Sequence, residues 1–210
     1  MTAILRKILV GSIISIFIIG SLFLFSNNSK SYNDKTTHPG LTDEIVDFYN
    51  LSFDDKLTPE EKEWIVQGSI DEDTPPRWIN HFYDPTNGDG WKSENLGDLS
   101  PFTLKLITRL FLNSNTEIVS SKNWVHNEIL QLKYQDYGGN RTWENAIRKY
   151  VGGDKEYAYK TIGHIVHLLE DKTVPDHTRN DTHAHEGSGL TRDGGSPYED
   201  YSSQFNRQTL

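Results

Sequence analysis

Cysteine is absent from the 210 residues, so no disulfide and no thiolate metal ligand can form. Any metal must be held by His, Asp, Glu, backbone groups or water, a donor set that suits a hard or borderline ion. Basic residues are scarce: 21 Lys and Arg stand against 30 Asp and Glu, giving a net charge of −9 and a pI near 5.3. That balance gives no electrostatic funnel for a polyanion, and no local basic patch appears, so nucleic acid is disfavoured as a partner. Strand signals are weak, and there is no internal repeat or low-complexity block. The chain is long enough for one domain with a real core once a short amino-terminal tail is set aside.

The tail carries its own signal. Arg6 and Lys7 precede an unbroken run of apolar and small residues from Ile8 to Phe25, just long enough to span a bilayer. No A-x-A site follows, which leaves either an uncleaved anchor with the domain outside or a removed signal peptide over 1–27. Both place the domain outside the cytoplasm, and the membrane is a partner through this segment. Residues 28–37 read as a tether, leaving 38–210 as the domain.

From His38 the pattern is helical. Leu41, Ile45, Phe48 and Tyr49 fall at helical spacing. Thr58-Pro59-Glu60-Glu61 is a capping box with proline at the first helical position, and Gly68 marks that helix's expected end. Asp71 to Trp91 has no period and is rich in Pro, Gly, Asp and Asn, so it reads as an ordered functional loop. Further helices are expected from Ser100-Pro101 to Asn113, from Glu117 to Lys133, from a Thr142 cap to Tyr150, and onward from an Asp154 cap. A short one is expected around Pro197 to Phe205. The fold class is all-α, a multi-helix bundle.

The densest chemistry lies in Thr161 to His183, TIGHIVHLLEDKTVPDHTRNDTH, which holds four of the eight histidines and three aspartates. Residues three, four and seven apart share a helix face, so His164, His167 and Asp171 project together, with Ile162, Ile165, Val166 and Leu169 opposite. The expectation is that the apolar side packs while the other presents ligands. A His and an Asp at i, i+4 can close on one zinc ion. Pro175 stops the helix, and the following loop returns His177 and His183 toward its end. Singly, each histidine reads as a surface or satisfied core residue; together, their spacing is that of a metal site.

The run IGHIVHLLEDKTVPDHTRND resembles the LHYLxD-to-His segment of the zinc-dependent bacterial phospholipases C and the related single-strand-specific zinc nucleases. GSIDED and NHFYDPTNG, from Gly68 and Asn80 onward, are similar to the phospholipase segment around its aspartate and histidine ligands. THPGLTDEIVDFY, from Thr37, resembles that family's first helix. The likeness spans about residues 36–203, with the motifs in the family's order. It implies a multi-helix bundle of the phospholipase C type, in which Asp73, His81, His167 and Asp171 hold one zinc and Asp171 bridges to a second ion near His38. In the family that ion is completed by an amino-terminal tryptophan, whereas the first tryptophan here is Trp64. The remaining site takes His177, a carboxylate assigned to Glu199 in SPYEDY, and a second histidine. The family pairs histidine and acid at i, i+4, but Gly195 stands four before Glu199, so His183 is assigned, with His185 in reserve. Two or three zinc ions are implied.

The same resemblance makes Asp73 the general base or water-orienting group and matches Trp78 to the aromatic that contacts a choline headgroup. Thr74 stands where the family has a tyrosine after the catalytic aspartate, so choline preference is not implied. The chain also ends sooner after the last motif than the phospholipase does. The expected function is a zinc-dependent phosphodiester hydrolase cleaving a phospholipid headgroup. A single-strand nuclease and a degenerate metal-binding module without turnover are the alternatives. Arg179 is placed beside the site, either at phosphate or as a plain surface residue. His164 is expected behind the ligands and His126 on a helix surface.

Overall fold

The computed structural model describes residues 36–74, 77–91, 117–181 and 196–202. The expected apolar span at 8–25, the helix from Ser100, and His183 and His185 lie outside them. Eight α-helices occur in the described residues: α1 Thr37–Ser52, α2 Pro59–Glu72, α3 Ser121–Trp124, α4 Glu128–Gln131, α5 Trp143–Val151, α6 Lys155–Glu170, α7 Pro175–Arg179 and α8 Pro197–Ser202. Three 3-10 turns join them at Arg77–Asn80, Leu132–Tyr137 and Asp171–Thr173. No strand occurs among the described residues, so the all-α class holds there. No described helix is long and apolar enough to cross a membrane.

Local chemistry sets the helix starts. Thr58 Oγ1 accepts from the Glu61 N–H at 3.2 Å while the Glu61 carboxylate accepts from the Thr58 N–H at 2.9 Å. Such caps stabilise by about 1 kcal/mol each. Thr142 and Asp154 open α5 and α6 with the one-way form of the cap, their side chains accepting from the Asn145 and Tyr157 N–H groups. The single helix expected over Glu117–Lys133 is instead broken. Asn127 leaves helical geometry and caps α4 by accepting from the Leu130 N–H. The Val125 carbonyl accepts from the Trp143 N–H across the break.

Gly68 does not end α2, which continues to Glu72. Its role is proximity. A Cβ on Gly68 would lie 2.0 Å from the Lys160 carbonyl oxygen of α6, and one on Gly163 would lie 1.9 Å from the Ile65 carbonyl oxygen of α2. The two backbones therefore touch, and only hydrogen at both positions permits it.

Ile79, Phe82 and Trp91 form one small apolar cluster; Trp124, Leu130, Tyr134 and Leu168 form another. Among the described residues the interior is otherwise rich in polar groups: Arg77, Glu72, Gln131, His38, His81, His164 and His167 are among the largest fully buried side chains. The orientation expected for α6 is accordingly reversed. His164 and His167 are buried, Ile162, Ile165 and Val166 are half-buried, and Leu169 is 64% exposed. The histidine face is the packed one, because it faces α1 and α2 while the apolar face has weaker cover.

Gly68→Ala and Gly163→Ala each force α2 and α6 apart. Overpacking of this kind costs about 1–3 kcal/mol. Urea unfolding should show the midpoint lowered in each variant with helix content retained.

Candidate metal centre

The close approach of α2 and α6 brings their carboxyl ends to one place. Asp73 follows the last residue of α2 and Asp171 the last of α6. The negative ends of two helix dipoles thus point at the same spot, which favours a cation. The amino-terminal turn of α1 adds His38, the chain just after Arg77–Asn80 adds His81, the last turn of α6 adds His167, and α7 adds His177. Asn180, in the left-handed region at φ 56°, ends α7 immediately after this turn.

Asp171 is the hub. Its Oδ2 lies 3.0 Å from His81 Nδ1, 3.3 Å from His177 Nδ1 and 3.5 Å from His167 Nε2, and its Oδ1 lies 3.5 Å from His38 Nε2. Asp73 Oδ1 stands 3.7 Å from His167 Nε2 and 3.8 Å from His81 Nδ1. Ligands at zinc bond lengths in a tetrahedron are separated by about 3.4 Å, so these spacings fit metal donors. Two overlapping donor groups result: His38, Asp73 and His167, and His81, His167 and Asp171.

The ring nitrogens support the same conclusion. His167 Nδ1 donates to the Ser69 carbonyl at 2.6 Å, which directs the Nε2 lone pair toward the aspartates. That carbonyl belongs to the last turn of α2, where intrahelical partners run out; the Asp73 N–H turns to the Asp71 carbonyl. His167 Nε2 and both ring nitrogens of His81 are buried and make no hydrogen bond among the described residues. A buried polar atom left so is costly, and a metal ion would satisfy it.

Two glutamates lie behind the aspartates, and sequence reasoning passed over both. The Glu72 carboxylate is fully buried and accepts from Trp124 Nε1 at 2.8 Å, Arg77 Nε at 2.7 Å and His164 Nδ1 at 2.5 Å. Its Oε1 also stands 3.6 Å from His81 Nε2. Glu170 accepts from His38 Nδ1 at 2.5 Å and from Thr42 Oγ1 at 2.8 Å. Each is the Glu of a Glu-Asp pair at a helix end, and that repetition was the available signal. His164 thus lies behind the candidate donors, paired with Glu72, and His126 pairs on the surface with Glu144.

Electrostatics separate the histidines. Burial opposes the charge on His38, but Asp171 and Glu170 outweigh it and raise the pKa to about 10. Burial also opposes the charge on His81, and Asp171 outweighs it, giving about 9. Burial holds His164 at about 4, despite Glu72. It drives His167 well below its ordinary value, with the charge of His38 acting the same way.

The other expected residues divide. Trp78 is half-buried and packs edge-on against Trp91 with centroids 5.5 Å apart. Arg179 is exposed and pairs with Asp181 and Asp176, which makes it a surface arginine. Glu199 lies within α8, but its side chain is outside the described residues, as is His183. Compared with family models, curated proteins and solved structures, the chain matches none.

Two outcomes follow for the metal-free protein. His38 and His81, with pKa values raised above 6.5, contribute stability that is full below about pH 6.5 and lost as pH rises through about 9 to 10. The urea midpoint of chelator-treated protein should therefore fall between pH 7 and 10. Zinc binding at pH 7 should release about two protons, read by calorimetry in buffers of different ionisation enthalpy. Asp171→Ala should remove at least one bound metal by elemental analysis while leaving most of the helical circular dichroism; unchanged metal content would refute the site.

Proposed function

We propose that this chain is an extracytoplasmic zinc-dependent phosphodiester hydrolase similar to the zinc-dependent phospholipases C, acting on a phospholipid headgroup. The observation that carries the proposal is the Asp171 carboxylate, set among the ring nitrogens of His38, His81, His167 and His177 within 3.0–3.5 Å, with Asp73 alongside. The two Asp171 oxygens face different histidines, and Asp171, Asp73 and the four histidines are the residues that would hold zinc. Bound zinc supplies Lewis acidity toward phosphoryl oxygens and lowers the pKa of water.

The chain's own residues supply the rest. Asp171 and the four histidines fix the donor geometry, and their burial excludes bulk water from that side. Asp73 alone of the six keeps appreciable exposure, 14% of its side chain, so its carboxylate is the group that meets solvent and orients the attacking water. Trp78 offers a half-buried ring edge for a headgroup. The charge of −9 disfavours the nuclease alternative. The apolar run at Ile8–Phe25 supports a place at or beyond the membrane.

A second reading, a metal-stabilised module without turnover, is favoured by the near-complete burial of the other five donors. Turnover separates the two. Protein loaded with zinc should hydrolyse bis(p-nitrophenyl) phosphate and phosphatidylcholine vesicles in preference to a single-stranded oligonucleotide. Asp73→Asn should lower kcat by roughly 10²- to 10⁴-fold. Bound zinc without hydrolysis of any of the three would select the module.

A further inference from the structure

We infer that Glu170 is a positioning residue that makes His38 a full metal ligand, a role that rests on the metal-centre reading above. His38 comes from α1, remote in sequence from the histidine helix, and its ring is stacked on that of His167 with centroids 3.7 Å apart. Left to itself, an imidazole can present either nitrogen. Glu170 Oε2 takes the Nδ1–H of His38 at 2.5 Å, so the lone pair is carried by Nε2, 3.5 Å from Asp171 Oδ1.

The carboxylate is itself fixed. Thr42, one turn beyond His38 on α1, donates its hydroxyl to Glu170 Oε1 at 2.8 Å. Glu170 is therefore clamped by two side chains of the helix it aims. It is also chemically distinct from Glu72. The Glu72 charge is matched by Arg77, with Trp124 Nε1 as a further donor, whereas the only described ion pair of Glu170 is with His38. Its negative charge is directed into the imidazole, which raises the basicity of the opposite nitrogen and strengthens its bond to a cation. Asp171, the next residue, places its Oδ1 3.5 Å from His38 Nε2, so an ion held by one would be within reach of the other. The Glu170-Asp171 pair thus holds one histidine from two sides, the glutamate behind the ring and the aspartate in front.

This arrangement gives the His38 position strong donors drawn from side chains alone. Loss of the Glu170 charge should weaken zinc binding about 10- to 100-fold, as loss of such supporting groups does elsewhere. The experiment is competition titration of zinc itself against a chromophoric chelator, on the wild type, Glu170→Gln, His38→Ala and the double variant. Glu170→Gln should weaken the affinity, and the same change should have no further effect once His38 is alanine. The cobalt-loaded protein should show a shifted visible spectrum in Glu170→Gln.

Thr42→Val, which releases only the clamp, gives a second route where Glu170→Gln fails to fold: a smaller weakening is expected, again absent in the His38→Ala background. Equal losses with and without His38 would overturn the inference in favour of a general structural role. Unchanged affinity in both variants would overturn it while leaving the metal centre standing. A wild type that binds no zinc would remove both.

Discussion

Two helix backbones in contact, at Gly68 and Gly163, are the constraint on which the rest of the structure depends. At ordinary interhelical separation the Ser69 carbonyl would lie out of reach of α6. At the separation that two glycines allow, His167 donates to it, and one hydrogen bond then fixes the tautomer, the ring direction and the side on which a cation can bind. The same contact carries the ends of α2 and α6 to one point and sets Asp73 beside Asp171. A steric fact about missing methyl groups thus becomes an electrostatic fact about two converging helix ends.

The buried charges follow a common plan. Each helix ends in Glu-Asp, the aspartate turned toward the ligand cluster and the glutamate turned back to accept from a histidine Nδ1. Glu72 sits in a dense set of donors with Arg77 and Trp124, which ties the 3-10 turn at Arg77–Asn80 and, through Arg77, the carbonyls of Tyr137 and Gly139 to α2. That network supplements the two small apolar clusters found among the described residues. A buried carboxylate is tolerated when its lone pairs are taken up, and here they are.

The helices were legible where local chemistry specifies them. The Thr58 box and the Thr142 and Asp154 caps are readable because the groups that satisfy one another lie within a few residues, whereas Pro175, expected to stop α6 ahead of a loop, instead opens α7, and α6 ends earlier at Glu170. The grouping of His167 and Asp171 was legible too, since they share a face at four-residue spacing, and the structure places His81 with them. Three things were not. The meaning of Gly68 depends on a partner 92–95 positions away, so it read as a terminator. The packed face of α6 was inverted, because hydrophobicity argues for burying Leu169 and says nothing of histidines held by buried carboxylates and a backbone carbonyl. Glu72 and Glu170 were passed over because a glutamate beside an aspartate looks like a solvated helix end until the histidine it holds is seen.

The polar interior has a consequence for how stability varies with temperature. Exposing apolar surface raises the heat capacity on unfolding, while exposing polar surface lowers it. Among the described residues, Arg77, Glu72, Gln131 and four histidines stand where a helical core usually carries aliphatic side chains, so this part of the interior should contribute less to the heat capacity increment of unfolding than the ordinary ~12–15 cal/mol/K per residue. A buried polar network of this kind changes its contribution to stability less with temperature than the same volume of buried aliphatic side chain does.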